Sequence, residues 1–242
     1  MELKIFHKGF NYSQDGSGNR LVYHLQGCNL LCPWCANPEG MDAIGPEMFV
    51  MSTEELYEEV LRSKPLFFDG GGVTFTGGEA TCQFTVLKEV MTQLHELGIS
   101  TALETNGTSK RLPELFPVLD ELIMDLKHWD SKIHKEIVGL GNDVILENLQ
   151  RAMKEHKNVL VRIPLIHGFN ASCDDMEHVV AFFTKQDVSK ARFELLCYHE
   201  YGKTKWEKCG KQYTVTDAFV SEQTRIQYEH MMREHGLNVV RT

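Results

Sequence analysis

No apolar run in this sequence approaches the roughly 18 residues that a membrane-spanning helix needs. The opening residues, Met1-Glu2-Leu3-Lys4, carry no apolar stretch of the secretory kind. Positive charge is not in surplus: 25 Lys and Arg face 34 Asp and Glu, a formal net charge of −9. General nucleic-acid binding rests on neutralising phosphates with Lys and Arg, so this balance argues against it while leaving room for a local basic pocket for a small anion. There is no repeat, low-complexity tract or long linker. The seven cysteines are odd in number and follow no export signal, which reads poorly as a disulfide framework. Together these absences predict a cytoplasmic protein that works neither on nucleic acid nor in a membrane.

What is present is ordinary globular composition, 42% apolar and 24% charged residues over 242 positions. One large domain is the expectation at that length. Short β-like runs at 21–25, 73–76, 99–104, 122–126, 159–164, 192–196 and 237–240 alternate with helical patterns near 52–63, 83–96, 112–118, 145–156, 174–186 and 215–235. Ser52 followed by Glu55 predicts a capping box, and Gly98 falls where the second helix should stop. Such alternation implies right-handed crossovers and a parallel sheet. The predicted fold class is α/β, a six-stranded partial barrel. Polar groups sit at the ends of these runs: Gly77-Gly78-Glu79, Glu104-Thr105-Asn106-Gly107, Asp125 with Lys127, Arg162 and His199. In a parallel barrel the C-terminal strand ends share one face, and that face carries the chemistry.

Three cysteines, Cys28, Cys32 and Cys35, lie within eight residues directly after the first strong strand. Thiolates are soft ligands that favour zinc or iron–sulfur centres. A cubane cluster usually takes four cysteines, so three leave one iron open to another ligand. A structural zinc prefers four ligands, and its fourth would have to be remote, such as His24 or Cys82.

This loop, Cys-x3-Cys-x2-Cys with Trp34 before the last cysteine, resembles the signature of radical S-adenosylmethionine (SAM) enzymes. More narrowly, the chain resembles the glycyl-radical-enzyme activating enzymes, the group that includes the pyruvate formate-lyase activating enzyme. The matching pieces run in family order: Asp15-Gly16-Ser17-Gly18-Asn19-Arg20, Gln26-Gly27-Cys28, Cys32-Pro33-Trp34-Cys35-Ala36-Asn37-Pro38-Glu39, Gly70-Gly71-Gly72-Val73-Thr74, Gly77-Gly78-Glu79-Ala80, Glu104-Thr105-Asn106-Gly107, Asp125-Leu126-Lys127 and Tyr198-His199-Glu200-Tyr201-Gly202-Lys203. The resemblance implies a [4Fe–4S] cluster on Cys28, Cys32 and Cys35, with SAM on the fourth iron. It implies reductive cleavage of SAM to a 5′-deoxyadenosyl radical, which takes hydrogen from a glycine Cα of a partner enzyme. Flavodoxin or ferredoxin would supply the electron.

The resemblance also implies roles for single residues. Trp34 and Ala36 flank the adenine, with a core aromatic as the other reading of Trp34. Gly77, Gly78 and Glu79 take the SAM amino group, although Gly-Gly-Glu is also a plain turn. Lys127 and His199 contact SAM, and Arg162 contacts SAM or the incoming peptide. A structural carboxylate pair is the alternative for Arg162, and a hydrogen-bonded loop residue for His199. Glu104 and Asp125 resemble a carboxylate pair that holds a monovalent cation, with a salt bridge as the alternative for Glu104. The Asp15–Arg20 turn is expected to line the partner-peptide channel. No cysteine occurs between Cys35 and Cys82, so the ferredoxin-like insert of many relatives is absent; Cys82, Cys173, Cys197 and Cys209 read as inert thiols. The cysteine-loop wording leans towards activators of partners other than formate-lyases, and the missing insert leans back towards the formate-lyase type. A radical SAM enzyme acting on a small molecule is the competing function.

Overall fold

A computed structural model describes residues 1–242. The strands are β1 (Glu2–Tyr12), β2 (Asn19–Leu25), β3 (Phe49–Ser52), β4 (Val73–Gly77), β5 (Thr101–Thr105), β6 (Glu121–Asp125), β7 (Val159–Leu165) and β8 (Ala191–Cys197). The helices are α1 (Thr53–Ser63), α2 (Phe84–Glu96), α3 (Ser131–Val138), α4 (Asp143–Glu155), α5 (Cys173–Phe183), α6 (Lys203–Lys208) and α7 (Glu222–Glu234). The strand order is β3-β1-β2-β4-β5-β6-β7-β8. The chain forms two compact units. One comprises residues 1–29, 37–105 and 111–123; the other comprises 30–36, 106–110 and 124–242.

In the first unit β2, β4 and β5 run parallel, with Leu25 opposite Gly77 and Phe75 opposite Leu103. The first four residues of β4 are all buried, as a strand covered on both faces must be. The predicted capping box opens α1: Ser52 Oγ accepts from the Glu55 amide at 3.2 Å, and the Glu55 carboxylate accepts from the Ser52 amide at 2.8 Å. Helix α2 buries Leu87, Val90, Met91 and Leu94 along one stripe, and Gly98 follows it with φ of 67°. In the second unit β7 and β8 pair in parallel, with Arg162 opposite Glu194.

The six central strand runs and the α/β class agree with the sequence pattern. Strands β1 and β3 were not expected. They pair antiparallel, and a register shift between Ile5 and His7 breaks the alternation that would have marked β1. Residues 237–240 form no strand, only a single parallel bridge from Val239 to Phe193. The 112–118 segment is a 3-10 turn containing Pro113 and Pro117, which remove amide donors that an α-helix needs. Helix α3 also went unread, although Asp130 caps it by accepting from the Lys132 and Ile133 amides and Gly139 ends it at φ of 98°.

Arg20 anchors the Asp15–Arg20 turn at the start of β2. Its guanidinium is 1% exposed and donates to Thr74 Oγ1, the Val73 carbonyl and the Ser100 carbonyl at 2.7, 2.7 and 3.1 Å. Thr74 in turn donates to the Asp15 carbonyl, and the Ser17 amide donates to Glu121 at 2.8 Å. Burial lowers the Arg20 pKa to about 10, and the nearby Glu121 and Asp120 oppose that shift. Arg20→Ala should therefore destabilise the chain by about 3–5 kcal/mol, because it strands a buried set of acceptors and charge. Urea unfolding checks this, and a loss below about 1 kcal/mol would contradict the anchoring role.

Candidate active site

Cys28 leaves the end of β2 in the first unit, where the backbone is tightly packed. Gly27 has φ of 99°. The Gly27 amide donates to the Gly40 carbonyl at 3.0 Å, and the Cys28 amide donates to Met41 at 3.1 Å. The Gly77-Gly78-Glu79 turn closes onto the same place: the Gly78 amide donates to Leu25, and the Glu79 amide donates to the Gly27 carbonyl at 2.8 Å. A Cβ on Gly78 would lie 2.2 Å from the Gly40 carbonyl oxygen and 2.4 Å from that of Gly27. One on Gly77 would lie 2.3 Å from the Leu25 nitrogen. Backbone meeting backbone thus requires both glycines.

The Glu79 carboxylate is 1% exposed and accepts from the Thr81 amide, Thr81 Oγ1 and Thr105 Oγ1 at 3.0, 2.6 and 2.7 Å. Glu104, the residue before Thr105 on β5, accepts from Thr76 Oγ1 at 2.9 Å. Thr76 and Thr81 had no motif to announce them, and Thr105 was named only as part of Glu104-Thr105-Asn106-Gly107; only the fold places all three on these carboxylates. Partial enclosure, then the charges of Glu79 and Cys28, push the Cys82 thiol up to about 11, which suits an unreactive thiol.

The second unit holds Cys32, Trp34, Cys35 and Ala36. The Cys35 amide donates to the Cys32 carbonyl at 3.1 Å, making a turn, and the Leu31 amide donates to Val138 at the end of α3. Trp34 lies 4.8 Å from the Phe169 ring and packs against Ile166, Tyr198 and Ala218. Trp206 Nε1 donates to the Cys35 carbonyl at 3.0 Å. Lys127 and Asp125, on one side of the β6 end, form an ion pair at 2.5 Å. Asn170 ties this end down by donating to the Lys127 carbonyl at 2.7 Å while its own carbonyl oxygen accepts from the Ile166 amide. Arg162 donates to Glu194 at 3.0 Å with both side chains buried, so it does form a carboxylate pair. His199 is exposed, stacks on Tyr201 at 4.3 Å between centroids, and partial burial lowers its pKa. Trp206, Asn170 and Glu194 were missed; each acts from far along the chain on a residue that was named.

Residues 22–183 match the radical SAM superfamily. The chain belongs to that superfamily. Within it, the chain belongs to the glycyl-radical-enzyme activating enzymes. It is 33% identical over 204 residues to the pyruvate formate-lyase 1-activating enzyme of Escherichia coli (strain K12), covering 82% of both chains. It is 28% identical over 268 aligned positions to the 4-hydroxyphenylacetate decarboxylase activating enzyme of Clostridioides difficile (strain CD196), covering 84% of both. That alignment is longer than this chain, so the relative carries residues with no counterpart here. A domain of the pyruvate-formate lyase-activating enzyme from Bacteroides vulgatus ATCC 8482 superposes with a TM-score of 0.58 at 26% identity, covering 71% of this chain and 98% of that one. The chain therefore has the α/β radical SAM fold and is a radical SAM oxidoreductase. The family brings a [4Fe–4S] cluster and SAM. No helix is long and apolar enough to cross a membrane.

The donor chemistry fits such a cluster: Cys28, Cys32 and Cys35 are three soft sulfur donors, and none is in a disulfide. The fit lies in donor type and spacing, since no three His, Cys, Asp or Glu side chains stand assembled as a metal site.

Two histidines of the second unit give the radical SAM domain a pH response. His128 and His134 are 2% and 0% exposed. Burial is the main cause that lowers both pKa values from 6.5. His128 Nδ1 accepts from the Asp130 amide, so its proton lies on Nε2, which faces the Phe169 carbonyl. With both folded-state values depressed, the unfolded chain takes up protons first on acidification. Stability should be full above about pH 6.5 and fall below it, before most carboxylates titrate. Urea midpoints at about pH 7.5 and about pH 5.5 check this; an unchanged or higher midpoint at the lower pH contradicts it.

Proposed function

We propose that this chain activates a glycyl radical enzyme by removing a hydrogen atom from one glycine Cα of that protein, with Cys28, Cys32 and Cys35 as the ligands of the cluster. The observation that carries the reading is the Glu79 amide bound to the Gly27 carbonyl. It joins the Gly-Gly-Glu turn to the residue before the first cysteine. The two relatives are named for different partners, so the reading commits to activation and leaves the partner's identity open.

When bound, the cluster and SAM together supply the one-electron reduction and the acceptor of the hydrogen atom. The protein's part is orientation. Gly77, Gly78 and Glu79 take the SAM amino group, with the Glu79 carboxylate oriented by its hydroxyl and amide donors. Lys127, steadied by Asp125, takes the SAM carboxylate. Trp34 and Ala36 flank the adenine, and His199 contacts SAM from its loop. Arg162 is held by Glu194 and borders SAM or the incoming peptide. A monovalent cation shared by Glu104 and Asp125 would compete with Thr76 and Lys127, which already engage them, and the proposal does without it. The Asp15–Arg20 turn borders the partner peptide. The electron comes from flavodoxin or ferredoxin in the cytoplasm.

Anaerobically reconstituted protein should bind about four irons and four sulfides per chain. Mixed with SAM, a reductant and a glycyl radical enzyme of the same organism, it should give that partner a glycine-centred EPR doublet. Cys28→Ala, Cys32→Ala and Cys35→Ala should each abolish the doublet, and changing the partner's glycine to Ala should abolish it with SAM binding intact. Zinc without sulfide would overturn the cluster assignment. Consumption of a small metabolite with no doublet on any partner would overturn the activase reading.

A further inference from the structure

The end of the cysteine loop is gripped by α6, and the grip falls on one peptide. Gly202 and Trp206 are four residues apart across the first turn of α6 and face the same way. Trp206 Nε1 donates to the Cys35 carbonyl at 3.0 Å, with the indole 8% exposed. Beside it, a Cβ on Gly202 would lie 2.5 Å from that same carbonyl oxygen and 2.7 Å from the Ala36 Cα. Gly202 has φ of −81°, open to any residue, so the glycine is required by space and not by conformation. Behind the indole, Tyr213 meets Trp206 edge-on at 5.6 Å, and its hydroxyl lies 2.6 Å from that of Tyr198.

The Cys35–Ala36 peptide is trans, so its carbonyl and its N–H point in opposite directions. With the carbonyl bound to Trp206, the Ala36 N–H is turned away from α6. An indole N–H is donor-only and can serve only an acceptor at that place. We propose that Gly202 and Trp206 form a clamp that fixes the plane of the Cys35–Ala36 peptide, and that Trp206 is thereby a positioning residue for the cluster's third cysteine and the adenine-flanking residue. The inference rests on the assignment of Cys35 to the cluster and Ala36 to SAM.

The two halves of the clamp fail in opposite ways. Trp206→Phe keeps the ring and deletes the donor. Gly202→Ala keeps the donor and pushes the peptide away. Tyr213→Phe is the control, since it disturbs the same aromatic group without touching the Cys35 carbonyl. Two readouts are measured on all three variants and on wild type. The first is the SAM dissociation constant of the reconstituted protein, with the SAM-induced change in the EPR spectrum of the reduced cluster. The second needs no cluster: the rate at which iodoacetamide alkylates Cys35 in iron-free protein, followed by peptide mass spectrometry with Cys173 as internal reference.

Trp206→Phe should raise the SAM dissociation constant about three- to tenfold, the worth of one hydrogen bond. It should also speed Cys35 alkylation and alter the SAM-induced spectrum. Gly202→Ala should do the same, and Tyr213→Phe should match wild type. The clamp is refuted if Trp206→Phe and Gly202→Ala both match Tyr213→Phe in alkylation rate and in SAM affinity. If wild type itself assembles no iron–sulfur cluster, it is the cluster assignment that falls, and the alkylation rates still decide whether the clamp exists. Should Trp206→Phe fail to fold, Gly202→Ala decides by the same two measurements.

Discussion

Backbone meeting backbone at Gly27, Gly40 and Gly78 is the constraint on which the first half of the site depends. No side chain fits between these strands of chain: a Cβ on Gly78 would sit well inside the contact distance of two carbonyl oxygens. The close approach lets the Glu79 amide reach the Gly27 carbonyl. It also sends the Glu79 carboxylate inward, where Thr81 and Thr105 satisfy it. A buried carboxylate without such donors would be costly or would take a proton. One amide and two hydroxyl donors satisfy it there.

The part of the cysteine loop in the second unit is held by different means. Here the loop from Leu30 to Ala36 is held by long-range partners: Val138 on α3, Phe169, the Ile166–Tyr198–Ala218 group and α6. Polar anchors do the finer work. Asn170 binds the carbonyls of Lys127 and Pro164 and the amide of Ile166, which joins the ends of β6 and β7 through one amide side chain. Glu194, opposite Arg162 in the β7–β8 register, neutralises and fixes its buried guanidinium.

Buried charge also sets where the chain tolerates change. Arg20 is surrounded by carbonyl and hydroxyl acceptors at the starts of β2, β4 and β5. Glu229 on α7 accepts from Arg225, Arg233 and Arg241 and is nearly enclosed. Burial raises the pKa of Glu229 and the arginines lower it; the net direction is down. Both clusters hold elements together.

The sequence by itself determined the α/β class, the cysteine loop, the order of the motifs and the family they belong to. Those features are local: a strand run announces itself by its apolar residues, and a cluster loop by the spacing of its thiols. Tertiary structure decided what sequence separation hides. The bulge in β1 masked a strand, because a register shift erases the period of two. The glycines of Gly-Gly-Glu were legible as glycines, but which backbone crowds them was not, since Gly27 and Gly40 lie some distance up the chain. Arg162 left two partners open, and only the β7–β8 register placed Glu194 beside it. Trp206 stands 171 residues from the carbonyl it binds. No local pattern encodes such a bond; hydrophobic burial of Trp206, Tyr198 and Ala218 brings a distant helix to the cysteine loop, and the indole donor there meets the Cys35 carbonyl.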